Sequence, residues 1–149
     1  MDFGPEIIEH MSNPKNYGRI DDADSIGIGE NPQNGEKVIV YLKIEDKKIT
    51  DIAFEAIACM TTVVAGSIIT QEARDITLEK SDELVAVTLG MLDNVPPEEA
   101  ACSEMVALAI KAATDGYRMS SQSGKKDTLI YKIESSCSPE QEYKEGNGQ

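Results

Sequence analysis

Two cysteines, Cys59 and Cys102, stand where an apolar or extended segment gives way to a run with a helical pattern. A thiol in the first turn of a helix meets unpaired backbone N–H groups and the positive end of the helix dipole, and both favour the thiolate. Because the thiolate is a nucleophile and a soft-metal ligand, both residues are candidates for covalent chemistry or metal binding. The alternative for either residue alone is a small core side chain, a common role of free cysteine.

Three other residues have weaker claims to a chemical role. Cys137 lies in a polar, serine-rich segment and is expected to be an incidental exposed thiol. The single histidine, His10, falls on a predicted helix and is expected to be a surface or packing residue. Asn34 precedes Gly35, and Asn-Gly is typical of a turn because both residues tolerate positive φ.

Composition restricts the classes of function. The 149-residue chain carries 14 basic and 27 acidic residues, a formal net charge of −13, which argues against nucleic-acid binding. No stretch approaches the roughly 20 apolar residues of a membrane span, and the first residues have no signal-peptide character. For these two reasons we expect a cytoplasmic protein. Three cysteines without a secretory signal argue against a disulfide framework and for thiol chemistry, metal binding or packing.

The order of the predicted elements indicates an α+β fold. Residues 37–45 and 49–58 alternate apolar and polar positions and predict a hairpin, with a short edge strand near residues 25–28. Helical patterns cover residues 4–11, 61–74, 81–92 and 103–117. We therefore expect a small three-stranded antiparallel sheet with helices packed on one face. Residues 1–118 are predicted to form one domain, and residues 119–149 a polar linker, one further strand at 128–133 and a flexible acidic tail.

Four passages together resemble the IscU/NifU N-terminal family of iron–sulfur cluster assembly scaffolds. They are the turn at residues 13–18, the start of the first long strand at 34–38, the junction at 58–59, and the segment 95–113. The resemblance covers roughly residues 5–118 in matching order and spacing. It implies an IscU/NifU-like fold and a function in cluster assembly.

The chain departs from the family at the positions that matter for ligation. Of the three family cysteines, the first is replaced by Asn34, although the acidic residue that follows is retained as Glu36. The histidine that many members place before the last cysteine is Ala101 here. In the segment with which the family docks onto a specialised chaperone, Glu99 reverses the charge of the usual lysine, so binding to that chaperone is doubtful.

The resemblance implies that Cys59, Cys102 and Glu36 hold a labile iron–sulfur cluster, of which [2Fe–2S] is the expected form, with zinc as a substitute. Three ligands are too few, because a [2Fe–2S] cluster and a tetrahedral zinc ion each take four. Asn34 offers only a weak amide oxygen. A second subunit of a homodimer, a small thiol, or Cys137 folding back from the tail could complete the site.

The leading hypothesis is a scaffold that is not an enzyme. It would receive sulfur from a cysteine desulfurase, hold a cluster and pass it to apo iron–sulfur proteins. One alternative is a persulfide relay, in which Cys59 or Cys102 takes sulfur from a desulfurase by thiol exchange. The other is a degenerate family member that binds partners without carrying a cluster.

Overall fold

The fold is described by a computed structural model for residues 9–10, 12–92, 97–124 and 128–133. The ordered elements follow one another as β1 (Ser25–Glu30), β2 (Lys37–Glu45), β3 (Lys48–Ile57), α1 (Met60–Ala73), α2 (Leu78–Gly90), α3 (Pro97–Ser123) and β4 (Leu129–Lys132). Most of the predicted first helix and all of the predicted acidic tail beyond Ile133 lie outside the described residues. None of the helices described is both long enough and apolar enough to cross a bilayer.

The sheet has four strands in the order β3-β2-β1-β4, and it is mixed. The β2/β3 hairpin and the antiparallel β1/β2 pair confirm the predicted core of the sheet. The prediction of a three-stranded antiparallel sheet is wrong, because β4 adds to the free edge of β1 in parallel. The long helix α3 directly precedes β4 and returns the chain to the end of the sheet at which β1 begins. A strand that starts at that end and pairs with β1 runs parallel to it.

One face of the sheet carries the core. The alternating residues Val38, Val40 and Leu42 are completely buried, and α3 packs over β1 and β2 on this face. The helix backbone approaches β1 closely because Gly27 and Gly29 have no side chain to hold it away. This contact fixes the height of α3 above the sheet, and with it the height of every residue that the helix carries.

The three helices begin at different kinds of residue. Helix α1 starts at Met60, one residue from its predicted start. Helix α2 is capped by Thr77, whose side chain accepts the N–H of Lys80 at 3.1 Å. Helix α3 begins at Pro97, six residues before its predicted start, because proline is favoured in the first helical position.

Candidate metal and thiol site

Cys59 joins the end of β3 to the start of α1. It is the N-cap residue of α1 with extended backbone angles (φ −80°, ψ 172°), and its carbonyl accepts the N–H of Thr62 at 3.1 Å. The thiol is exposed, and its Sγ atom lies 3.8 Å from the Thr62 hydroxyl. The predicted position of Cys59 at a helix N-terminus is therefore confirmed.

The helix N-terminus lowers the pKa of Cys59. Partial burial acts to raise this pKa, but the backbone N–H and the hydroxyl of Thr62, with the backbone N–H of Thr61, favour the thiolate more strongly. The negative charge of Glu36 opposes them only weakly, as the smallest of these influences. Cys59 thus combines access to solvent with a thiol that ionises more readily than usual.

Cys102 has the opposite environment. The prediction that it opens a helix is wrong, because α3 begins at Pro97 and places Cys102 in its second turn. The residue is only 6% exposed, and burial raises the pKa of its thiol to about 11. The Thr62 hydroxyl favours the thiolate, while the neighbouring Cys59 and Glu36 disfavour it. Cys102 is therefore a protonated, enclosed thiol at neutral pH.

The two thiols lie beside each other. The Cys102 thiol lies close enough to the Cys59 thiol and the Thr62 hydroxyl for both groups to shift its pKa. Thr62 is completely buried and so holds a fixed position between them. Sequence reasoning missed this residue. Its signal is its place three residues after an N-cap, where a side chain reaches back to the capping residue.

The loop before β2 brings Glu36 toward the thiols and uses Asn34 for a different purpose. The exposed Asn34 accepts the backbone N–H of Glu36 at 2.9 Å, and Gly35 takes a left-handed φ of 80°. These features make the segment a hydrogen-bonded turn, as its Asn-Gly sequence predicts. Glu36 is half-buried, and its negative charge is near enough to both cysteines to raise their pKa values slightly.

The described part of the chain contains no group of three or more His, Cys, Asp or Glu side chains arranged to hold a metal ion. Two thiols and a more distant carboxylate therefore lie together without forming a complete ligand set. The chemistry of the donors suits iron bonded to sulfide, since the two neighbouring groups, Cys59 and Cys102, are both thiols. Cys137 lies outside the described residues, and the ligand roles of all these residues stay predictions.

His10 belongs to a separate set of contacts. Its Nδ1 atom lies 2.5 Å from the hydroxyl of the buried Ser67 in α1, and the backbone N–H of Lys15 donates to the same hydroxyl. These bonds attach the residues before β1 to α1, which is a packing role.

A sequence model described as the NifU-like N terminal domain matches residues 2–123 of the chain. The chain belongs to the NifU-like N-terminal domain family. This match confirms the resemblance on which the sequence analysis relied. Strand β4, at Leu129–Lys132, lies beyond the matched residues.

Named relatives agree with this membership. An Archaeoglobus fulgidus protein named iron–sulfur cluster assembly scaffold protein IscU 1 is 32% identical over 119 residues, covering 77% of this chain and 76% of that protein. The Haemophilus influenzae scaffold protein IscU is 29% identical over 122 residues, covering 79% of this chain and 97% of its own.

The fold is shared with two solved structures. One, from Fervidobacterium islandicum AW-1, is described as a candidate iron–sulfur cluster assembly scaffold for the SUF system. It superposes with a TM-score of 0.67 at 17% identity, covering 75% of this chain and 96% of its own. The N-terminal part of a NifU-like protein from Brucella abortus gives a TM-score of 0.52 at 20% identity, covering 79% and 82% of the two chains.

Proposed function

We propose that this protein is a scaffold for iron–sulfur cluster assembly, which holds a labile [2Fe–2S] cluster at Cys59 and Cys102 and passes it to apo-proteins. The observation that carries the proposal is the proximity of these two thiols, with the charge of Glu36 acting on both, in a chain whose family relatives are named scaffolds. In this function the cluster is cargo. The chain binds and releases it without catalysing a reaction of its own.

Incomplete ligation by the chain suits a protein that must release what it holds. A [2Fe–2S] cluster takes four ligands. If two of them are thiolates, two coordination positions on the irons are left for weaker donors. Glu36 would supply one as a carboxylate oxygen, which binds iron–sulfide less tightly than a thiolate does. A small thiol or a second subunit would supply the other. Zinc would bind the same donors as a substitute.

The partners follow from this role. A cytoplasmic cysteine desulfurase would supply sulfur, and apo iron–sulfur proteins would accept the cluster. Glu99 places a negative charge where the family's chaperone-docking segment carries a lysine. Since like charges across an interface can cost several kcal/mol, we propose that the specialised chaperone binds this protein poorly or not at all.

Anaerobic reconstitution of the full chain with ferrous iron and inorganic sulfide tests the proposal. The native protein should become coloured and retain acid-labile sulfide after desalting. Cys59→Ser and Cys102→Ser should each lose most of the bound iron and sulfide, because each leaves a single thiol at the site. The Cys137→Ser variant decides the route through the tail, since loss of the cluster there would make Cys137 a ligand.

A second experiment measures how long the reconstituted protein retains its cluster in the presence of an iron chelator. Asn34→Cys places a third thiol in a turn that already exists, so the variant should hold its cluster longer than the native protein does. A native protein that takes up no iron and sulfide, together with an Asn34→Cys variant that also takes up none, would refute the scaffold function and favour a binding module without a cluster.

A further inference from the structure

The sheet has a second face, which points away from the helices. Helices α1 and α3 both pack on the core face, where α1 approaches the ring of Phe54 and α3 approaches Gly27. On the opposite face, which we call the outer face, Ile28 of β1 pairs with Ile39 of β2 on one side and with Ile130 of β4 on the other. Residues paired in this way point to the same side of a sheet, so the three isoleucines form a continuous row.

Within the part of the chain that the structure describes, this row is accessible to solvent. Ile130 is 53% exposed, and Ile28 and Ile39 are half-buried. Ile57 of β3 is 60% exposed, and because it pairs with Lys37 it lies diagonally beside Ile39. Each of the four strands thus contributes one isoleucine to the outer face. Neighbouring exposed apolar side chains of this kind are typical of an interaction surface.

The charged residues of the four strands cancel one another. Four are acidic and four are basic, and none is buried: Glu30, Glu45, Asp51 and Glu55, with Lys37, Lys43, Lys48 and Lys132. The formal net charge of −13 is therefore carried entirely by the rest of the chain. A strongly basic or strongly acidic partner would find no complementary net charge on the outer face.

We propose that the outer face is the interface of a homodimer, in which two copies of this chain pack their sheets face to face. A protein with a large net charge repels its own copies over most of its surface. The outer face is where this repulsion is weakest, and a two-fold axis matches the isoleucine row of one copy with that of the other. The inference goes beyond the proposed function, and it does not depend on cluster binding.

The size of the outer face sets the strength of the dimer. With about 3.3 Å per residue and about 4.8 Å between strands, the four strands span a flat area of about 450 Å². Two such faces fall short of the roughly 1,200–2,000 Å² that specific, stable interfaces bury in total. Asp22, from the segment before β1, also contacts Lys43 at one end of the face. We therefore expect a weak dimer that dissociates on dilution.

Analytical ultracentrifugation of the full chain tests the proposal, with a thiol reductant and a metal chelator present. From low micromolar to near-millimolar protein, the average mass should rise reversibly from the monomer toward the dimer. Added salt should strengthen the dimer, because it screens the repulsion between two acidic copies while the apolar contact remains. A chain that stays monomeric throughout, or a dimer that salt weakens, would overturn the proposal.

Matched substitutions locate the interface. Ile130→Lys should weaken the dimer at least about tenfold, because the dimer would bury two ammonium groups in place of two apolar side chains. Val87→Lys changes the charge equally on α2, at a residue that is 58% exposed, and should leave the dimer unchanged. Both substitutions reduce the net negative charge, so charge alone would favour association in either variant.

Two further variants complete the test. Ile57→Lys, at the other end of the row, should also weaken the dimer, and circular dichroism checks that each variant is folded. If Ile130→Lys and Ile57→Lys dimerise as well as Val87→Lys does, the outer face is not the interface. Cys59→Ser should dimerise like the native chain, since loss of the dimer there would assign the association to the thiol and contradict the proposal.

Discussion

The packing of α3 on the sheet depends on Gly27 of β1, whose missing side chain leaves room for the helix backbone. A Cβ atom at this position would lie 2.5 Å from the carbonyl oxygen of Ala109 and 2.7 Å from the carbonyl carbon of Ala112. Ordinary contacts begin near 3.4 Å, so α3 would have to move away from β1 by roughly 1 Å. The obstructing atoms are backbone, and rotation of a side chain cannot relieve the clash.

We therefore expect Gly27→Ala to lower the free energy of unfolding by about 3 kcal/mol, the upper part of the range for overpacked cores. Loss of chain entropy in the unfolded state would offset only about 0.4–1 kcal/mol of this cost. The helix also carries Met105, Val106 and Ile110, which are at most 1% exposed, and lifting it would loosen their contacts. Total stabilities of about 5–15 kcal/mol make the loss easy to detect.

Urea unfolding followed by circular dichroism measures this change, with Gly90→Ala as the matched control. Gly90 is in α2, and a Cβ atom there would meet nothing within 4 Å, so this substitution should be neutral or stabilise by up to about 1 kcal/mol. Because Cys102 is on α3, Gly27→Ala should also speed alkylation of that thiol. A Gly27→Ala protein within about 1 kcal/mol of the control would refute the packing argument.

Three further predictions concern the thiols and the last strand. At neutral pH iodoacetamide should modify Cys59 well before Cys102. Modification of Cys102 should become faster as the pH approaches about 11, where its thiolate forms. Equal alkylation rates for the two thiols at neutral pH would contradict the difference in their environments. Thr62→Val should raise the pH at which Cys59 becomes reactive, because it removes a hydroxyl that favours the thiolate. An unchanged dependence of Cys59 alkylation on pH would show that the hydroxyl has no influence on this pKa. Ile133→Ala should cost about 2–4 kcal/mol in urea unfolding because the side chain is 6% exposed, whereas Ile130→Ala, at 53% exposed, should cost under about 1 kcal/mol. A loss as small for Ile133→Ala as for Ile130→Ala would mean that the chain after α3 is not part of the core.

The central hairpin was predictable because its signal is local. Residues of β2 alternate with a period of two, so the sequence alone says which side chains face the core and that β3 must pair beside it. The N-cap position of Cys59 was equally readable, since an extended apolar run ends there and a helical pattern begins. The turn of Asn34 and Gly35 followed from residue types that tolerate left-handed backbone angles.

The pairing of the fourth strand and the start of α3 were not predictable in the same way. The strand predicted at residues 128–133 is present as β4, but nothing in its four residues specifies that β1 has a free edge parallel to their direction. Pro97 is a residue that favours the first position of a helix, but the apolar pattern that indicates a core helix begins only after it. Both features depend on where distant parts of the chain lie.

The sequence by itself determined the donor types, the acidic charge, the hairpin and the family, because these depend on residue identity and on patterns a few residues long. Only the tertiary structure decided that Cys59 and Cys102 lie side by side in opposite environments. Their ionisation depends on burial and on the groups that surround each sulfur, and these come from β3, α1, α3 and the loop before β2. Two cysteines that look alike in sequence thus become one exposed thiol that ionises readily and one enclosed thiol that stays protonated.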